Sequence, residues 1–308
     1  EQFNVTSYYV TSVAIITFEA FAGMWINAFI VSVICMSWVK KKTLNSNEKI
    51  LLLLGCSRFG FLCISWVYSF LAIIYPNYLY VHPTLTLVSS IQSLLNYSNI
   101  WVSAVLCVFY CIKIANFRNS FFIYLKVKID KMVPWLLLGS VLFSLVIGIT
   151  VYDVTDKALC KKLNFTCQGC IWKASIRIEE HFLTIFFITG FGFVTSFMAV
   201  TFSTLLLLFS LWRHKRNMRT NSMKDLSMDA HIKAMKCILS FLVMYSMNFV
   251  FLTLTLIYSS RRQNYVNLLI SIFLCAFPGF HSVILIFSNP KLEKKMLGIL
   301  SCMNCKVC

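Results

Sequence analysis

LVSSIQSLLNYSNIWVSAVLCVFYCI, residues Leu87–Ile112, contains no charged side chain, and KIANFRNSFFIYLK, Lys113–Lys126, follows it at once. A bilayer core about 30 Å thick is crossed by roughly 20 helical residues rising about 1.5 Å each. The first stretch is long enough to cross, and the Lys, Arg and Asn of the second mark where the chain leaves the lipid. Lipid supplies no partner for open backbone groups, so such a run must be an α-helix. The same test finds apolar runs at residues 8–39, 50–74, 87–112, 132–152, 181–212, 234–258 and 264–287. The sequence therefore predicts an all-α membrane protein. It is a seven-transmembrane-helix bundle forming a single domain over residues 1–308, with short loops and a short tail at 288–308.

Composition agrees. The chain is 59% hydrophobic and 13% charged, whereas soluble domains hold about a quarter charged residues. The first run is too long for the apolar core of a signal peptide, so it is expected to remain as a helix. Basic residues set orientation. The loops after spans one, three and five plus the tail hold 20 of the 28 Lys and Arg (counting Lys236 with the third of these loops), and the other loops hold 7. The basic loops and the C-terminus are expected in the cytoplasm, with the N-terminus extracellular. The net charge of +17 is spread between spans, which favours topology and anionic membrane lipids over nucleic acid as its cause.

The sequons at Asn4 and Asn164 fall on segments expected outside and are candidate glycosylation sites, whereas Asn96-Tyr-Ser lies within the third span. Cys160, Cys167 and Cys170 share the longest outside loop, where two of them can pair and the pairing is open. Cys302, Cys305 and Cys308 follow Lys294 and Lys295 in the tail and are candidates for palmitoylation or idle reduced thiols.

Polar residues inside the spans point to function, because they are costly in lipid and face the bundle interior. Arg58 lies ten residues beyond Glu48, about 15 Å deep. Asn27 and Ser282 fall at similar depth, so Arg58 is expected to donate to both and tie spans one, two and seven together. The alternative is snorkelling to a water pocket. Glu19, nearer the outer side, receives no role. Gln92, Asn96, Asn99 and Ser103 share one face of the third span. The upper part of that stripe, Gln92 and Asn96, with Asn248, Phe249, Phe251, Ser271 and Phe273, suits an outward-opening, mostly apolar cavity for a small molecule. Ordinary interhelical hydrogen bonding is the competing explanation. That half of the third span has no Asp or Glu, which favours neutral ligands over amines.

Enzyme chemistry finds little support. His82, His181, His214, His231 and His281 form no metal-ligand spacing, and there is no phosphate-binding Gly-rich loop. His281 and Ser282 are adjacent on one helix and so point to different faces. No cofactor is expected. A transporter would show internal repeats or broken helices, and only Pro278 lies deep in a span.

FYCIKIANFRNSFFIYLK, Phe109–Lys126, resembles the F-Y-x-x-K-I-A-N-F-x-x-x-x-F-x-Y-L-K signature of the bitter taste receptors, the taste receptor type 2 family of G-protein-coupled receptors. HSVILIFSNPKL (His281–Leu292), Ser57–Arg58, LWRHKRNM (Leu211–Met218) and AHIKAMK (Ala230–Lys236) resemble further family motifs, and Trp101 also fits. The chain departs from the pattern at Ile26, usually Gly, and at Ser196–Val200, where P-F-x-x-S-L is common.

The resemblance implies a plasma-membrane receptor that binds bitter agonists in a cavity using Gln92, Asn96, Tyr97, Asn248 and Ser271. Many members carry Trp at the position of Gln92, so the agonist range is expected to differ. It implies coupling to a heterotrimeric G protein of the gustducin-like or inhibitory class. Tyr110 and Lys113 are expected to exchange partners on activation. Asn116, Phe117, Phe122 and Tyr124 are expected to meet the G protein together with Arg213, Lys215, Arg216 and Arg219, whose basic charge also suits lipid headgroups. A vomeronasal-type pheromone receptor and a seven-helix transporter are the alternatives.

Overall fold

A computed structural model describes residues 2–79, 81, 83–115, 117, 119–165, 182–220, 225–258 and 264–304, with side chains for most of 10–157, 187–216, 238–255 and 269–302. Its helices are α1 (Gln2–Lys41), α2 (Ser46–Ile74), α3 (Pro76–Leu79), α4 (Thr84–Ile114), α5 (Ser120–Phe165), α6 (Phe182–Thr220), α7 (Asp225–Tyr258), α8 (Asn264–Ser288) and α9 (Pro290–Asn304). Seven of them, α1, α2 and α4–α8, are long and apolar enough to cross a membrane. Six close a ring in the order α1, α2, α4, α6, α7, α8 and back to α1, while α5 packs outside against α4.

The polarity is that of a protein in lipid. Phe18, Trp25, Trp135, Phe191 and Phe202 face outward, while Asn27, Arg58, Asn99, Ser103, His281 and Ser282 are buried. Near the basic end, Ile30, Ile34, Leu51, Leu54, Leu106 and Val133 pack together. Towards the opposite end, aromatic side chains of α4, α6, α7 and α8 form a second cluster around Tyr97, Phe193, Tyr245 and Phe277.

Helix ends follow local chemistry. α1 stops where Lys42 takes φ 58°, the left-handed turn that closes many helices. The Asn45 N–H donates to Glu48 Oε2 at 3.1 Å, the carboxylate half of a capping box. Glu48 Oε1 also accepts from Lys291 Nζ at 2.5 Å, and Lys291 reaches Ser37 Oγ at 2.7 Å. One carboxylate thus starts α2 and fixes α9 to it, while Lys291 also ties α9 to α1.

Several boundaries differ from the sequence expectation. The segment Asn116–Lys126 is not a free loop, because α5 begins at Ser120 rather than near Met132. The tail at 288–308 is mostly the helix α9, and α6 and α7 extend to Thr220 and back to Asp225. The cause is shared: hydropathy locates the lipid-crossing portion, but Lys, Leu and Arg sustain a helix well beyond it.

α1 and α8 meet through glycines. A Cβ on Gly279 would lie 3.3 Å from Gly23 Cα, and one on Gly23 would lie 2.7 Å from Leu62 Cδ1. Because Gly279 abuts backbone, which cannot rotate aside, Gly279→Leu should separate the helices and lose most folded protein. Fluorescence-detected size-exclusion of the solubilised variant checks this; a wild-type monodisperse peak would remove the packing constraint.

Candidate functional site

Arg58 is 0% exposed at the centre of the bundle. Its Nε donates to Asn99 Oδ1 and its Nη1 to Ser282 Oγ, both at 2.8 Å. Its Nη2 donates to Ser103 Oγ at 3.2 Å and to His281 Nδ1. The Ser282 hydroxyl in turn donates to Asn27 Oδ1 at 2.8 Å, and Asn27 Nδ2 donates to the Gly23 carbonyl at 2.8 Å. The Ser282 contact lies where the sequence expectation put it, but Asn27 is reached only through Ser282. The planar fork of Arg, which addresses several acceptors at once, explains why one residue links α2, α4 and α8.

Two residues of the polar stripe on α4 belong to this network. Asn99 and Ser103, the lower part of the stripe, bind Arg58. A signal for this lay in the sequence: Ser103 is ten residues from Lys113, the same interval that separates Arg58 from Glu48.

The remaining stripe lies farther from the basic end. Gln92 Nε2 donates to Ser65 Oγ at 3.1 Å, and Asn96 is half-buried one turn below it. Asn248 is buried on α7, and Ser271 lies half-buried on α8. Two rings fill space between helices. Tyr97 stacks on Phe193 at 4.7 Å, and Phe249 on Phe197 at 4.3 Å. Tyr97 is thus buried against α6. Phe251 and Phe273 stack at 4.4 Å, with Phe273 on the exposed flank.

A cavity of about 620 Å³ opens at the basic end instead. Cys107, Tyr110, Leu207, Ile238, Phe241 and Leu285 form much of its wall, and Asn47, Asn289 and Glu293 add polar groups. Beside it, Tyr110 Oη donates to Asn47 Oδ1 at 3.1 Å, and Lys113 Nζ pairs with Asp130 Oδ2 at 2.5 Å. Phe117 and Phe122 meet edge-on at 5.0 Å and pack against the cluster of Cys111, Ala115, Leu207 and Leu211. Tyr124 Oη accepts from Lys128 Nζ at 2.6 Å. Arg213 is exposed, and Arg216 lies over the Trp212 ring. Sequence reasoning missed this cavity and the α9 anchor because apolar wall residues read as ordinary core.

Asn116, Cys167, Cys170, Cys305 and Cys308 lie outside the described residues, as do the side chains of Asn4, Cys160, Asn164, Lys215 and Arg219. Cys302 is exposed on α9.

A family-wide sequence profile described as "Taste receptor protein (TAS2R)" matches residues 5–304. The chain belongs to the taste receptor type 2 family, the bitter taste receptors. It is 32% identical over 299 residues to taste receptor type 2 member 9 of Homo sapiens, covering 95% of this chain and 94% of that one. It is 32% identical over 294 residues to taste receptor type 2 member 40 of Gallus gallus, covering 93% of each. Squid rhodopsin, whose crystal structure aligns with a TM-score of 0.59 at 13% identity over 96% of this chain and 87% of that one, shares the fold. The taste receptor is therefore a seven-helix G-protein-coupled receptor, and its family is not a class of enzymes.

Proposed function

We propose that this taste receptor lies in the plasma membrane with its N-terminus outside, binds small, mostly apolar bitter compounds in its outer half, and activates a gustducin-like or inhibitory G protein. The observation that carries this is the layout of α4. One rigid helix holds Gln92 and Asn96 beside the aromatic layer, Asn99 and Ser103 on Arg58, and Tyr110 and Lys113 at the basic-end cavity. An agonist that favours one packing of that helix alters the far end by its differential affinity.

The outer site combines stacked rings with few directional groups, as small-molecule sites do. Asn96, Asn248 and Ser271 approach it from three helices. The basic-end cavity suits the apolar face of an amphipathic helix from the G protein, with Phe117, Phe122, Tyr124, Arg213 and Arg216 around its rim. The Lys and Arg of that rim also attract anionic lipid headgroups. Asn4 and Asn164 are the glycosylation sites of this reading, and Cys302, Cys305 and Cys308 its palmitoylation candidates.

The test is a bitter-compound panel in cells carrying a gustducin-like chimera. At least one compound should raise signal only with the receptor present. Asn96→Ala should lower potency about tenfold, near the 1.4 kcal/mol of one hydrogen bond to ligand. Unchanged dose–response curves for every active compound would remove Asn96 from the site.

A further inference from the structure

Arg58 carries a charge that nothing described around it balances. Its partners Asn99, Ser103, Ser282 and His281 are neutral groups, and no carboxylate among the described residues forms an ion pair with it. Buried charges are ordinarily paired, because neutral oxygens satisfy donors without cancelling the field.

A second observation lies beside it. Every guanidinium nitrogen is a donor, so His281 Nδ1 must accept from Arg58. The ring proton then sits on Nε2. That Nε2 is buried and has no hydrogen-bond partner among the described residues. The cluster therefore presents a fixed cation and an unsatisfied N–H together, and what both lack is an acceptor with negative charge.

The basic-end cavity approaches this point. Leu285 and Cys107 line its wall, each four residues from His281 and Ser103 respectively, about 6 Å along the helix. Phe241, whose ring centroid is 4.3 Å from that of His281, also lines it. The inner end of the cavity is thus separated from the Arg58–His281 pair by little more than one aromatic ring.

We propose that a small monovalent anion, chloride in cells, reaches this cluster past Phe241 from the inner end of the cavity and binds against the His281 Nε2–H, balancing Arg58. A monatomic anion is satisfied by few donors and tolerates the apolar wall, whereas a phosphate needs several donors the cavity does not offer there. Water completes the N–H but leaves the charge. The bound anion stabilises the packing in which α2, α4 and α8 are clasped.

The experiment uses the full chain in lipid nanodiscs, melted in sodium chloride and in sodium gluconate of equal ionic strength. Chloride should raise the midpoint by about 2–4 °C in a saturable way, with bromide substituting for it. His281→Phe keeps a ring between its neighbours but lacks the donor, and should lose the increment. Equal midpoints in both salts for the wild type, or an increment retained by His281→Phe, would overturn the proposal and leave water and neutral dipoles to carry the cation. Should His281→Phe not fold, chloride NMR line widths on the wild type decide. Excess broadening over empty nanodiscs, removed by bromide, supports the site, and its absence refutes it. None of these readouts requires an agonist or a G protein, so they stand apart from the test of receptor function.

Discussion

Arg58→Ala is expected to lose nearly all surface receptor and agonist response. The substitution removes the Arg58 donors from Asn99 and Ser103 on α4 and His281 on α8 in one step, and leaves Ser282 only its bond to Asn27. Each buried polar group left without a partner costs about 1–3 kcal/mol. Even if repacking recovers much of that, a net loss of about 3 kcal/mol is a factor of over 100 in population, at roughly 1.4 kcal/mol per tenfold. Arg58→Met separates stability from signalling, because it fills the space while removing the buried charge, a change that often costs little stability. It should reach the surface better than Arg58→Ala and still fail to respond. Surface staining beside calcium release from the same cells reads both. A wild-type response from Arg58→Met would show that the clasp is only structural.

The second large effect is at the other end of α4. Tyr110→Phe combined with Lys113→Met should abolish G-protein activation, by tenfold or more in maximal response, with surface delivery unchanged. Tyr110 ties α4 to Asn47 at the start of α2, and Lys113 ties it to Asp130 on α5. Lys113 and Asp130 are 34% and 50% exposed, and a pair so wet contributes about 0–1 kcal/mol to stability. Its loss is therefore not expected to unfold the protein, which makes a signalling defect informative. Charge exchange, Lys113→Asp with Asp130→Lys, should restore part of the response if the pair itself matters. Full signalling from the double variant would end the partner-exchange idea.

The extent to which these sites were legible in the sequence differs by residue. Arg58 announced itself, since a lone cation within a span is costly, and depth counting placed Ser282 beside it. The same counting paired it wrongly with Asn27, because a depth along the helix does not say which way a side chain turns. Tyr97 and Asn96 are adjacent in sequence, yet one packs against α6 while the other stays on the polar stripe. A step of about 100° around the helix decides that, and only neighbours show what lies there. The α9 anchor through Lys291 and Glu48 joins residues far apart in the chain, which no local pattern reveals.

The sequence by itself determined that the chain crosses lipid seven times as helices, because a bilayer leaves backbone groups no other solution and the apolar runs have the required length. It also determined the family, through motifs spread over nearly the whole chain. Only the tertiary structure decided which polar residues spend themselves on one another and which stay available. It alone placed an open cavity at the basic end. Hydrophobicity reports how deep a residue sits, but pairing depends on the rotation and spacing of helices, which are set by close packing such as Gly23 against Gly279.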